Sequence, residues 1–301
     1  MSVFIRQNAT HCHFGADSWV ILSPIEQRIK AKIEAVGIPL KDWDISINYG
    51  IKTGFNDAFI ITGAKKDELI AADPKSAEII RPILRGRNIK RYGYDFADEW
   101  LINTHNGVKE KGIKPINIDD YPAIKKHLDG FWDKLESRAD QGDTPYNLRN
   151  CAYMEDFYKQ KIVYPDIMRM PQNEDALDAY PYFYYDTENF FAEATNFLMT
   201  GENIDLIFLF LSSDIGFYVF TKFYAGPQFD ETGFRYKKAY LNELFVPQFD
   251  KKMAEQLRAM MPDVKDNMGT IEKLIGDFIG LSEEETIQIR KYKKKLLSVA
   301  R

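Results

Sequence analysis

Tyr49-Gly50-Ile51-Lys52-Thr53-Gly54-Phe55-Asn56-Asp57 is a glycine-bounded stretch set between two runs of β-forming residues. On one side, Trp43 to Asn48 alternates, with Ile45 and Ile47 on one face; on the other, Ala58 to Thr62 is a second β-rich run. Successive side chains of a strand point to opposite faces, so the reading is a strand, a glycine-bounded loop and a strand. Glycine accepts positive φ and, having no Cβ, lets another chain come close. That suits a tight structural turn or a loop pressed against DNA, with Lys52, Thr53 and Asn56 reaching phosphates or base edges. A nucleotide-binding P-loop is excluded: Lys52-Thr53 follows a glycine, but the Walker spacing is absent.

Working outward, Ser23-Pro24 supplies an N-cap and a proline at the first helical position. Ile25, Ile29, Ile33 and Val36 continue as an apolar stripe that stops at Gly37. Lys66 to Ala71 reads as a short helix, and Asp73-Pro74 opens a segment in which Ala77, Ile80 and Leu84 form a buried stripe up to Gly86. Trp100 to Asn103 reads as a strand, residues 105 to 122 as an exposed loop, and Pro122 to Ala139 as a helix. Lys161 to Tyr164, Tyr180 to Tyr185 and Phe190 to Met199 are strand candidates, and Ile204 to Leu211, apolar on every side, is a buried helix. Beyond Val246-Pro247 the chain is charged and helical over Lys251 to Met260, Met268 to Ile279 and Ser282 to Leu297, the last opened by a Ser282/Glu285 capping box. The expectation is an α+β fold, a mixed or antiparallel sheet with flanking helices and a helical C-terminal tail. It divides into an N-terminal segment (1–22), a main domain (23–248) and a C-terminal helical region (249–301).

Hydrophobic residues make up 45% of the 301, and aromatics 14%, enough for well-filled cores. Cys12 and Cys151 cannot make a disulfide framework, which fits a reducing cytoplasm. Neither Met1 to Thr10 nor Ile204 to Phe220, which is broken by Asp205, Ser212, Ser213 and Asp214, reads as a leader or membrane segment. A net charge of −5 argues against a nucleic-acid partner until its distribution is considered. Residues 170 to 221 carry nine acids and neither Lys nor Arg, which leaves 40 bases against 36 acids elsewhere. One basic face and one acidic face are expected.

The strongest physical signal is Arg81-Pro82-Ile83-Leu84-Arg85-Gly86-Arg87-Asn88-Ile89-Lys90-Arg91, with no acid between Glu78 and Asp95. Interleaved apolar residues anchor the segment while its guanidinium groups face outward, and arginine suits bidentate contact with guanine or phosphate. A solvated basic face, or pairing with the acidic 170–221 region, is the competing reading. Arg290 to Lys295 is weaker evidence, since cations near a helix C-terminus suit its dipole. Tyr180-Pro181-Tyr182-Phe183-Tyr184-Tyr185 offers stacking platforms for bases or, in acidic surroundings, core packing.

Catalytic motifs are not recognisable. Asp73-Pro74-Lys75 and Thr144-Pro145-Tyr146 lack the second proline of an amino-methylating motif, and Tyr164-Pro165-Asp166 is not followed by the acid-x-lysine of a nuclease. His11-Cys12-His13 offers three adjacent ligand types without a fourth group nearby, so no metal is expected.

These segments, in this order, resemble the TaqI-like C-terminal specificity domain, the target-recognition region of type IIG restriction-modification enzymes and related N6-adenine DNA methyltransferases. The matching strings are Gly50 to Ile60, Leu69-Ile70 to Asp73-Pro74-Lys75-Ser76, and Ile80 to Ile89. Lys161 to Tyr164, Leu209 to Ser213, Leu244-Phe245-Val246-Pro247 and Gly280 to Glu285 look like later landmarks. The resemblance implies sequence-specific reading of duplex DNA on behalf of a methyltransferase or nuclease domain or subunit. S-adenosylmethionine is expected there and no cofactor in this chain. The expected contact residues are Lys52, Thr53, Asn56, Arg81, Arg85, Arg87, Asn88, Lys90 and Arg91, with phosphates falling to Lys52, Lys90 and Arg91 and base edges to Arg85, Arg87 or Asn88. The family's catalytic half is missing from this sequence, so it reads as a fragment of a longer enzyme or a separate specificity subunit. The alternative is a protein-interaction subunit that docks on a methyltransferase or nuclease and binds no DNA.

Overall fold

The computed structural model describes residues 22–228, 230 and 233–299, and His11-Cys12-His13 lies outside the described residues. In chain order the strands are β1 (Gly37–Pro39), β2 (Ile45–Tyr49), β3 (Ile60–Thr62), β4 (Ile80–Leu84), β5 (Ile89–Lys90), β6 (Gly93–Tyr94), β7 (Glu99–Ile102), β8 (Lys161–Pro165), β9 (Ile167–Arg169), β10 (Tyr184–Asp186), β11 (Phe191–Ala192), β12 (Asn196–Gly201), β13 (Gly233–Arg235) and β14 (Phe245–Pro247). The chain forms two compact units. Of the described residues, one takes those up to Trp43, Ile167–Pro181 and those from Asp205 onward; the other takes Asp44–Asp166 and Tyr182–Ile204.

In the first unit the helix Pro24–Val36 starts at Ser23, whose backbone amide donates to Glu26 Oε2 at 2.7 Å, and it buries Ile29 and Ile33. Where it ends, β1 pairs antiparallel with β14, Gly37 opposite Pro247. The helix Val264–Ile279 stops at Gly280, whose φ of 74° is the left-handed conformation that favours glycine. The next helix, Glu283–Val299, has the expected reciprocal cap: Ser282 N donates to Glu285 Oε2 at 2.8 Å, and Glu285 N donates to Ser282 Oγ at 3.3 Å. Glu285 also receives Lys32 Nζ at 2.6 Å, so the cap ties this helix to Pro24–Val36. Among the described residues no single helix is long and apolar enough to cross a membrane. The pair Ile204–Ser212 and Asp214–Tyr224 passes only together, bent by 75°. Leu206 to Leu211 and Ile215, Phe217, Tyr218, Val219 and Phe220 are buried core.

The second unit holds two four-stranded sheets. One, in the order β10-β8-β12-β2, is antiparallel throughout; the other, β11-β4-β7-β3, is antiparallel except for the parallel β11–β4 pair. Phe59, Ile83, Leu84, Leu101, Ile124, Leu128, Phe157 and Phe191 are buried in its core, where Phe157 and Phe191 stack at 4.6 Å. Mixed sheets with flanking helices make the fold α+β.

Several elements differ from expectation. Asn56–Phe59 is a helical turn, and only Ile60–Thr62 of the second β-rich run is a strand. Ala77, Ile80 and Leu84 stand at helical spacing but share no helix: Pro74–Glu78 is a 3-10 turn with Ala77 exposed, and Ile80–Leu84 is a strand. Pro82 explains it, since an interior proline would cost a helix about 3 kcal/mol. The helix expected over Pro122 to Ala139 is two, Pro122–Asp129 and Trp132–Ser137. The loop before it is partly interior, with Asn106 and Val108 buried. Of Tyr180 to Tyr185 only the last two residues are strand, and Tyr180, Phe183 and Tyr184 are buried, which is the packing reading of that aromatic run.

Candidate nucleic-acid interface

The turn after β2 is built from backbone contacts. Gly50 N donates to Asn196 O at 2.9 Å and Ile51 N to Ala192 O at 2.7 Å. A Cβ on Gly50 would run into the carbonyls of Ala192 and Glu193, so this glycine is required by close approach. Gly54 is required by conformation, with φ of 71°. Between them Thr53 is 2% exposed, and its hydroxyl donates to Asn56 Oδ1 at 2.5 Å. Lys52 is exposed and has no ion-pair partner among the described residues.

Arg138, 6% exposed, locks this turn. Its guanidinium donates to the carbonyls of Thr53, Asp140 (3.1 Å), Pro145 (3.0 Å) and Asn147, and lies over the Phe59 ring at 4.5 Å. Burial pulls its pKa down to about 10, which leaves it charged at neutral pH. One buried cation thus holds the turn against the 140–147 loop.

The arginine-rich segment begins inside a sheet and ends outside it. Ile80, Ile83 and Leu84 of β4 are buried, anchoring the segment as expected. Arg81 folds back: it donates to Glu78 O at 2.6 Å and Ile80 O at 2.8 Å, and its Nε donates to the Tyr158 hydroxyl at 3.2 Å. After β4 the chain makes a 3-10 turn, Gly86–Asn88, whose shape depends on Asn88. Its Oδ1 accepts from Arg85 N at 2.7 Å, its Nδ2 donates to Asp95 O at 2.9 Å, and it is 4% exposed. The β5–β6 hairpin follows, with Arg91-Tyr92 at its tip and Arg91 over the Tyr92 ring at 4.9 Å.

The structure therefore sorts the expected contact residues. Lys52, Arg85, Arg87, Lys90 and Arg91 are exposed or half-exposed, the last four on one turn and hairpin. Thr53 and Asn88 are buried, Thr53 bonded to Asn56 and Asn88 bridging Arg85 N and Asp95 O. Asn56 is half-buried and holds Thr53, while Arg81 closes the turn before β4. Arg85 and Arg87 meet Glu99 at 2.9 and 3.1 Å and Lys90 meets Asp95 at 3.3 Å, so these three pair outside the acidic 170–221 region. Sequence reasoning missed Arg138 and Glu99, which carry no motif, and the aromatics Tyr49 and Tyr158, 54% and 47% exposed.

No family model matches the sequence. Among solved structures the chain is similar to the type IIL restriction-modification enzyme MmeI in complex with DNA, with a TM-score of 0.59 and 14% identity, over 86% of this chain and 36% of that one. It is also similar to the type IIG restriction endonuclease BpuSI, with a TM-score of 0.55 and 16% identity, over 92% of this chain and 32% of that one. The chain thus spans about a third of the length of the solved structures it matches. At such identities the likeness is one of fold, and the fold is one found within type IIL and type IIG restriction-modification enzymes.

Proposed function

We propose that this chain is a sequence-specific duplex-DNA recognition module of a restriction-modification system, of the TaqI-like specificity type, that serves an adenine methyltransferase domain or subunit. The observation that carries the reading is the anchored turn and hairpin, which gather Arg85, Arg87, Lys90 and Arg91 on one short stretch of the second unit. The likeness to an enzyme solved with DNA supports it. Lys52, Lys90 and Arg91 meet phosphates and position the module; Arg85 and Arg87 reach base edges. Methyl transfer, with its S-adenosylmethionine, belongs to the parent or partner, and calorimetry of this chain with S-adenosylmethionine is expected to show no binding.

The test is selection of a preferred duplex from a randomised pool, followed by anisotropy titrations over a salt series. Arg85→Ala and Arg87→Ala should each cost about 1–3 kcal/mol on the selected duplex and relax the preference at one position. Lys52→Ala should weaken binding to all duplexes alike and reduce the salt slope by about 1. Unchanged affinity and slope in the Arg85/Arg87 variants would overturn the reading.

A further inference from the structure

Two guanidinium groups of the proposed interface converge on one carboxylate. Arg85 Nε lies 2.9 Å from Glu99 Oε2 as a charge contact without hydrogen-bond geometry, and Arg87 Nη2 donates to Glu99 Oε1 at 3.1 Å, so each arginine has an oxygen of its own. The Glu99 side chain is only 17% exposed, against 29% for Arg85 and 66% for Arg87, so the acid is the fixed member of the trio. Its backbone is held too: it opens β7 opposite Thr62 of β3, the residue that caps the helix Gly63–Ala72. Such a carboxylate sets the spread of two long side chains in advance, which lowers the cost of ordering them on a ligand. It also competes with any phosphate for the same donors. A lone phosphate offers the arginines little beyond what Glu99 already gives, whereas the paired acceptors of a guanine edge, with neighbouring phosphates, offer more.

We propose that Glu99 is a positioning residue that withholds Arg85 and Arg87 from indiscriminate phosphate contact and yields them, as a preset pair, to the recognised site. This rests on the DNA-recognition reading above and adds a selectivity device to it.

Wild type, Glu99→Gln and Glu99→Asp are compared by salt elution from heparin and by titration of a random-sequence duplex. Glu99→Gln keeps the shape and removes the charge. It should elute at higher salt, bind the random duplex about three- to tenfold more tightly at low salt, and show a log–log salt slope steeper by about one to two. Glu99→Asp keeps the charge and should stay close to wild type on both probes. Identical elution and slope for wild type and Glu99→Gln overturn the proposal. If wild type binds no duplex at all while Glu99→Gln still moves on heparin, the DNA reading fails and the withholding role stands. Should Glu99→Gln not be recovered folded, the double variant Arg85→Gln/Arg87→Gln decides. Heparin elution close to wild type supports withheld arginines, and a large fall shows that they were available despite Glu99 and overturns it.

Discussion

Gly50 and Gly54 bound the same turn for different reasons, and the difference is measurable. At Gly50 the missing Cβ makes room for two carbonyls, so Gly50→Ala forces the backbone apart and should cost about 3 kcal/mol. At Gly54 the φ of 71° is the obstacle, and Gly54→Ala should cost only about 1–2 kcal/mol. Urea unfolding of the two variants checks the order. Behind the turn, His127 Nε2 donates to Ala58 O at 2.9 Å, and burial holds its pKa below the ordinary 6.5. The unfolded chain therefore takes up the proton first, so this contribution is complete above pH 6.5 and declines as the pH falls toward the folded value. His127→Gln retains a donor and removes the titration. Its thermal midpoint should fall less between about pH 7 and pH 5 than that of wild type, with His105, also lowered by burial, accounting for part of what remains.

Among the elements, β8 and β10 are pinned by a charged pair in the interior. Lys161 lies opposite Asp186 in the register, 2.5 Å apart and both 0% exposed, and Lys161 Nζ also donates to Phe157 O at 2.7 Å. Lys161→Met leaves a buried carboxylate without its cation and should cost about 3–5 kcal/mol, while Lys161→Met/Asp186→Leu should recover most of that. Chemical denaturation of both variants tests it. Elements with local signals were legible in the sequence: Ser23-Pro24 and Ser282 with Glu285 mark helix starts because the cap is made within four residues. Elements decided by packing were not. Asn56–Phe59 curls into a helical turn that buries Ala58 and Phe59, against the β preference of the run. The site divides the same way. The run of arginines was visible as charge, but what holds it was not, since Arg87 meets Glu99 from 12 residues away and Arg138 meets Thr53 across 85.

For the whole molecule, four of the nine acids at 170–221 stand in ion pairs among the described residues. In the first unit Glu174 meets Lys294, Asp205 meets Arg258 and Asp214 meets Lys293; in the second Asp186 meets Lys161. Three of those cations, Arg258, Lys293 and Lys294, come from residues 249–299. A chain truncated after Phe249 should lose amide-exchange protection over Pro24–Val36, whose Arg28 and Lys32 pair with Glu284 and Glu285, yet keep it in β8 and β12. The same long reach sets an order of events during synthesis. The strands of the second unit are all made by Gly201, whereas Arg28 waits 256 residues for Glu284. On the ribosome, Ile29 and Ile33 of the helix Pro24–Val36 therefore stay uncovered until β14 and the helix Val264–Ile279, which pack on it, have been made.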